Sequence, residues 1–201
     1  MHDNEATIRD KKAMRRRLLT TQMKGPEGVR IEEWTPGDIS EIITYECALS
    51  LFGEILIGAT SKGICYLGFT RGNRVETIND LTRRFPGNTI MEGSSPFHTT
   101  AIMQMNDPRT PIPVQLHLKG TAFQIGIWRK LAQIPLGGLT TYTQLGGGPK
   151  IARAIGAAVG SNPVGFLLPC HRVMYADGSF DRYFWGTDLK EKLLAWEAKN
   201  C

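Results

Sequence analysis

The sequence predicts a mixed α/β chain in two parts, a strand-rich N-terminal part followed by a mainly helical C-terminal part. Three observations carry that expectation. Between Ile42 and Phe69, apolar and β-branched residues fall in short runs, Ile55-Leu-Ile57 and Ile64-Cys-Tyr-Leu67, separated by Gly53 and by Ser61-Lys-Gly63; this is the pattern of strands joined by hairpins. Val75, Ile78, Leu81 and Phe85 then recur at helical spacing as far as Pro86-Gly87. After Gly120 the texture turns helical and the charge changes with it. Residues 1–117 hold 14 Lys+Arg against 14 Asp+Glu, whereas residues 118–201 hold 10 against 5, so the net charge of +5 belongs entirely to the C-terminal part. A basic excess confined to one part favours a polyanionic partner.

In chain order, residues 1–38 read as a polar arm: a short basic helix around Lys11-Lys-Ala-Met-Arg-Arg-Arg17, turns at Gly25-Pro-Glu-Gly28 and Trp34-Thr-Pro-Gly-Asp38, and a solvated surface. Residues 39–117 form the α/β part. Residues 88–113 are Pro- and Thr-rich and read as irregular, and Val114-Gln-Leu-His-Leu118 alternates as a half-buried closing strand. Residues 118–201 form the helical part. Thr121 caps a helix through Phe123, Ile127, Trp128 and Leu131, and Thr140-Thr-Tyr-Thr143 opens a short second helix ending at Gly146-Gly-Gly148. Pro149 suits the first turn of a third helix, Lys150–Val159. Ala152, Ala154, Gly156, Ala157, Ala158 and Gly160 leave that helix little bulk. Tight helix packing and close approach to another surface fit this composition equally; Lys150 and Arg153 tilt the reading towards phosphate contact.

No apolar run reaches the roughly 18–20 residues of a membrane span, and the polar start Met-His-Asp-Asn-Glu lacks a signal-peptide core, so a cytoplasmic or nucleoid-associated chain is expected. The four cysteines, at 47, 65, 170 and 201, show no C-x-x-C pairing and are expected to be thiols; no metal motif is present.

The stretch Pro169-Cys-His-Arg-Val173 sets Cys170 beside His171 and Arg172. A thiol attacks only as thiolate, which a neighbouring base or positive field promotes. A buried structural cysteine is the alternative, and adjacent side chains of an extended chain point apart, so Cys170–His171 cooperation needs a turn or a bridging water. In the final helix, Leu189, Leu193 and Trp196 mark an apolar face on which Glu197 also falls. A carboxylate there needs solvent or a partner, and a histidine is one it would orient.

Together Leu118-Lys-Gly-Thr-Ala-Phe-Gln124, Trp128, Ile134-Pro135, Thr140-Thr-Tyr142, Pro149-Lys150, Arg153-Ala-Ile-Gly156, Asn162-Pro163 and Pro169-Cys-His-Arg-Val173 resemble the O6-alkylguanine-DNA alkyltransferases, over about residues 42–201. The resemblance extends to the C-terminal portion of Ada-type proteins. It implies a ribonuclease H-like N-terminal sheet domain followed by a winged helix-turn-helix domain that flips the damaged base out of double-stranded DNA. Cys170 would attack the alkyl carbon on O6 of guanine, or on O4 of thymine. His171, oriented by Glu197, would take the thiol proton through a water, Tyr142 would protonate the leaving base, and Asn162 would brace the active-site turn. Arg153 would fill the place of the flipped base, with Lys150, Ala154, Gly156, Thr121 and Gln124 also on DNA. Val173, Tyr183, Phe184 and Trp185 would line the base pocket. The resemblance implies no cofactor, a monomer, and a single turnover per chain. Asp181 and Arg182 stand where the family has two glycines, which predicts a narrower pocket. The Gly146-Gly-Gly148 turn is about three residues shorter than usual, which would shift Tyr142 against the third helix. The alternative is a catalytically weak or inactive alkyltransferase-like protein that binds and flags alkylated DNA, a class that characteristically replaces the cysteine kept here.

Overall fold

A computed structural model of the protein describes residues 8, 10–24, 28–146 and 148–201. The chain forms two compact units, one of Met1–Pro26, Gly126–Asn162 and Leu168–Cys201, the other of Glu27–Ile125 and Pro163–Leu167. The division falls inside a helix rather than at residues 117 and 118, and the N-terminal segment groups with the C-terminal one. The expected turn at Gly25-Pro-Glu27 and the centre of the 146–148 turn, residue 147, lie outside the described residues.

The second unit is built on a six-stranded sheet in the order β1-β6-β4-β3-β2-β5. Strands β2 (Ile42–Ser50), β3 (Gly53–Thr60) and β4 (Gly63–Phe69) form the antiparallel meander that the Ile/Leu runs and glycine turns predict. β5 (Thr89–Glu92) lies parallel to β2, while β6 (Val114–Leu118) lies parallel to both β4 and β1 (Val29–Glu33). β6 is nearly all buried rather than half-buried, because it is an inner strand. Helix α2 (Arg74–Arg84) is capped by Asn73 and buries Leu81 against Ile43, Leu56, Tyr66 and Phe85. Residues 88–113 are more regular than their composition suggests: besides β5 they hold helix α3 (Pro96–Asn106), with Pro96 at its first position, where a missing N–H carries no penalty. Pro163–Leu167 joins this unit by pairing on β4: the Leu67 N–H donates to the Pro163 carbonyl and Gly165 donates to that of Leu67, both at 2.9 Å.

In the first unit, helix α1 (Lys11–Thr20) is not a solvated arm. Met14 and Leu18 lie one turn apart and pack with Ile8, Leu139, Met174 and Leu194. Their burial in an otherwise basic segment is what draws the segment onto the unit. Helix α4 (Ala122–Leu131) starts from a reciprocal Thr121/Gln124 capping box in the second unit, then enters the first. Within the first unit the Trp128 indole donates to the Ala158 carbonyl at 2.8 Å, and the Lys130 ammonium donates to the Leu145 carbonyl at 2.7 Å. Those two bonds tie α4 to helices α6 (Ala152–Gly160) and α5 (Tyr142–Gly146). Thr140–Thr141 is a strand, β7, paired parallel to β8 (Val173–Met174), rather than the first turn of α5. Thr141 caps α5 with Gln144 by the same reciprocal box. Pro149–Ile151 is a 3₁₀ turn, so the α-helix proper begins at Ala152. Helix α7 (Thr187–Asn200) closes the unit. Among the described residues no helix is long and apolar enough to cross a membrane.

Candidate active site

Cys170, His171 and Arg172 form a 3₁₀ turn, not an extended run, and all three side chains are buried. The turn breaks the alternation that would have pointed neighbouring side chains apart. Asn162 anchors it: its side-chain amide donates to the Leu168 carbonyl at 2.8 Å and to the Cys170 sulfur at 3.2 Å. Burial pushes the Cys170 thiol up, opposed by the Asn162 hydrogen bond and the positive charge of Lys190. Cys170 is therefore held as a thiol and needs a base.

Glu197 is fully buried on α7, and His171 Nε2 lies 2.8 Å from its Oε1. The Arg172 guanidinium grips the same carboxylate through Nε at 3.0 Å and Nη2 at 2.9 Å, and its Nη1 donates to the Ile134 carbonyl at 2.7 Å. Burial alone raises the Glu197 carboxyl, but the charges of Arg172 and His171 outweigh it and hold it down to about 2. His171 is shifted the other way. Burial lowers it more than Glu197 raises it, which leaves a neutral imidazole at neutral pH with Nε2–H directed at the carboxylate and Nδ1 as the acceptor.

Cys170 opens onto a cavity of about 310 Å³ lined by Tyr142, Gly156, Tyr183, Phe184, Trp185 and Lys190, among others. Trp185 meets Tyr183 and Phe184 edge-on at 5.4 and 5.1 Å between ring centroids, making an aromatic wall. The Tyr183 hydroxyl is buried next to the thiol without a hydrogen bond of normal geometry to it or to any other described group. A buried polar atom in that state favours a polar ligand atom in the cavity. Burial raises the Tyr142 hydroxyl to about 12, so it is a proton donor at neutral pH.

A second cleft of about 550 Å³ adjoins the first, sharing Tyr142, Gly156 and Arg182, and adds Arg153, Ala152, Tyr175 and Ala176. Lys150, Arg153 and Ala154 are exposed on or just before α6. A Cβ built on Gly156 or Gly160 would find no atom within 4 Å, so this small-residue face is open rather than packed against another helix. Thr121 and Gln124, in the second unit, form their capping box. Val173 is fully buried and supplies a backbone carbonyl that accepts from the Lys190 ammonium at 2.6 Å.

The two departures from the family pattern have specific outcomes. The short turn after Gly146 leaves Tyr142 on the Cys170 cavity, and α5 meets α6 so closely that a Cβ on Gly146 would overlap the Ile155 side chain. Asp181 does not narrow the cavity: it accepts from the Tyr175 hydroxyl at 2.7 Å and is exposed. Neither Asp181 nor Arg182 has positive φ, so this loop does not need glycine. Arg182 stands at the rim common to both clefts, its side chain 93% exposed.

The residue absent from the sequence reading is Lys190. It is 1% exposed and lines the cavity; burial lowers its ammonium to about 8 while the Cys170 charge opposes the fall. The spacing that puts Glu197 on the buried face of α7 puts Lys190 there two turns earlier, so the signal was present.

Residues 122–199 match the family model described as 6-O-methylguanine DNA methyltransferase, DNA binding domain. The chain is 41% identical over 160 residues to a methylated-DNA-protein-cysteine methyltransferase of Methanosarcina mazei, covering 78% of this chain and 98% of that protein. It is 31% identical over 179 residues to the bifunctional transcriptional activator/DNA repair enzyme Ada of Escherichia coli, covering 86% of this chain but spanning only 50% of that relative. The crystal structure of Mycobacterium tuberculosis OGT in complex with DNA superposes with a TM-score of 0.64 at 28% identity, over 78% of this chain and 93% of that one. The chain belongs to the methylated-DNA-protein-cysteine methyltransferase family.

Proposed function

We propose that this protein repairs DNA by transferring a methyl or small alkyl group from O6-alkylguanine to Cys170, once per chain. The observation that carries the reading is the buried Cys170 sulfur facing an aromatic-walled cavity, with the Glu197-oriented His171 beside it in one turn. The thiol proton passes through a water to His171, and the sulfur displaces the alkyl carbon in line. The C–O6 electron pair returns to the base, and Tyr142 donates a proton towards N3 or O6 as that charge develops. The positive charge of Lys190 stabilises the thiolate. Asn162 holds the turn, the backbone at Cys170 and Val173 reads the guanine edge, and Tyr183, Phe184 and Trp185 enclose the ring. The product thioether offers water no ready leaving group, so the chain is consumed.

DNA reaches the cavity through the adjoining cleft. Helix α6 enters the minor groove by its open small-residue face, Arg153 takes the vacated stack with Lys150, Ala154 and Gly156 beside it, and Thr121 and Gln124 are further DNA-binding residues. Flipping costs a few kcal/mol of stacking, offset by the inserted arginine and the fitted cavity. The antiparallel β2-β3-β4 meander with β5 parallel to β2 supports a ribonuclease H-like fold for the sheet unit. Helices α5 and α6 with the β7/β8 pair support a winged helix-turn-helix over 118–201. The protein acts as a monomer, without a cofactor.

Stoichiometric protein incubated with duplex DNA bearing O6-methylguanine should gain the mass of one CH₂, mapped to Cys170 and absent in Cys170→Ala. DNA binding with no mass gain would sink the transfer and favour lesion flagging.

A further inference from the structure

The outer face of α1 has no partner in the proposed reaction. Lys12, Arg15, Arg16 and Leu19, spaced i, i+3, i+4 and i+7, are all exposed, and no acidic residue interrupts the helix. Among the described residues Lys12, Arg15 and Arg16 make no ion pair. Like charges three and four residues apart each cost a helix a few tenths of a kcal/mol, so the stripe opposes the fold that carries it. It is nevertheless fixed firmly in place. Met14 and Leu18 are buried, the Arg17 guanidinium donates to the Gly137 carbonyl at 2.7 Å, and Lys11 pairs with Asp177 at 2.8 Å. Past the helix, the Thr21 hydroxyl accepts from Leu139 N–H at 2.9 Å.

The position of α1 is informative. The turn Tyr175–Ser179, closed by the Tyr175 N–H donating to the Ser179 carbonyl, packs against α1 so closely that a Cβ on Gly178 would lie 2.8 Å from the Lys11 carbonyl oxygen. Tyr175 and Ala176 of that turn line the cleft that holds Arg153. The basic stripe is therefore carried by a helix that packs on the turn bordering the cleft assigned above to DNA.

We infer that α1 is a second DNA-contacting element, whose Lys12, Arg15 and Arg16 hold phosphates of the duplex flanking the lesion. This rests on the reading of α6 as the DNA-facing helix. Three exposed cations on a docked helix suit a regularly charged backbone, and the packing of α1 on the turn that borders the Arg153 cleft favours that duplex over another polyanion. The contact adds affinity without sequence preference.

The test uses Cys170→Ala protein, so that binding is read without reaction, on a duplex containing O6-methylguanine across a range of salt. In that background Lys12→Gln/Arg15→Gln/Arg16→Gln should keep its melting temperature and bind about tenfold or more weakly near physiological salt. The slope of log affinity against log salt should fall by two to three, at about 0.9 per phosphate lost. Arg153→Ala in the same background serves as the comparison. An unchanged slope in the triple variant while Arg153→Ala weakens binding overturns the α1 contact and leaves the α6 reading intact. If neither variant binds less, the α6 reading fails and the α1 contact with it. An unchanged slope combined with lost binding to phosphatidylglycerol vesicles would give the stripe to a lipid surface instead.

Discussion

Among the described residues the protein holds two histidine–carboxylate–cation networks, one in each unit, and only one faces a thiol. In the first unit His171 meets Glu197 at 2.8 Å and Arg172 grips the acid. In the second, His117 Nε2 lies 3.4 Å from Asp38, whose other oxygen takes the Lys62 ammonium at 2.6 Å. Both imidazoles are fully buried and lowered chiefly by burial against the pull of the acid, and both carboxyls are held below their ordinary range. The difference lies in what surrounds the far side of the ring. His117 is stacked on Trp34 at 4.6 Å, with Nδ1 held 2.8 Å from the Thr60 hydroxyl, whereas His171 follows Cys170 in a turn beside a cavity. A buried acid–histidine pair is thus not evidence of chemistry; a nucleophile and room for a substrate are.

The sharpest way to break that contrast is to remove one acid from each network. Glu197→Gln should slow transfer by ~10²–10⁴-fold, since the base loses its orienting acceptor. It should also cost ~3–5 kcal/mol, because Arg172 is left as an uncompensated buried charge. Asp38→Asn should lower the melting temperature while leaving the transfer rate per folded molecule at the wild-type value. Single-turnover kinetics and thermal melting on both variants decide it; a slowed Asp38→Asn protein would mean that the second network also serves the reaction. Acid titration gives a parallel readout. The Glu197 carboxyl is depressed to about 2, so its stabilisation is complete above its ordinary value near 4.5 and is lost as pH falls towards 2; Glu197→Gln should flatten that limb.

The same contrast explains how much could be read from the residues alone. Cys170-His171 stood out as neighbours, and Glu197 from helical spacing, because both are local signals. The Arg172–Glu197 grip is not local: 25 residues separate the partners, and only the fold shows that Arg172 serves the acid rather than the thiol. The two hairpins and helix α2 followed from periodicity and turn residues. Helix α3 was hidden because proline and threonine read as loop, although Pro96 at a first helical position is compatible with a helix. Helix α1 reads as a solvated arm because Met14 and Leu18 are outnumbered by charges, yet two buried side chains a turn apart are enough to dock it.

Lys190 separates the networks further, since in the second unit the cation serves the acid whereas here an additional cation faces the sulfur. Lys190→Met should slow transfer about tenfold at pH 7 and raise the thiol, a change of about one pKa unit and ~1.4 kcal/mol, read by thiolate absorbance against pH. Stability changes as well. Because burial lowers the Lys190 ammonium to about 8 from 10.5, the unfolded chain binds the extra proton between those values, and that group makes the protein more stable as pH rises through the interval. Lys190→Met should lose this rise; an unchanged alkaline stability profile would show that the ammonium is not strained by its burial.

The smallest effect is expected at the rim. Arg182 replaces a glycine of the family pattern, yet its side chain is 93% exposed and Asp181 turns outward to Tyr175, so neither fills the cavity behind them. Arg182 can hinder only an adduct long enough to reach the mouth. Arg182→Gly should therefore leave the rate with O6-methylguanine in DNA within about twofold, since exposed substitutions seldom change much. The rate with O6-benzylguanine should rise by a few-fold, through relief at the entrance rather than inside. Equal gains for both adducts would instead place Arg182 in DNA positioning, and no gain for either would leave Trp185 and Tyr183, which form the inner wall, as the groups that set the size of the adduct.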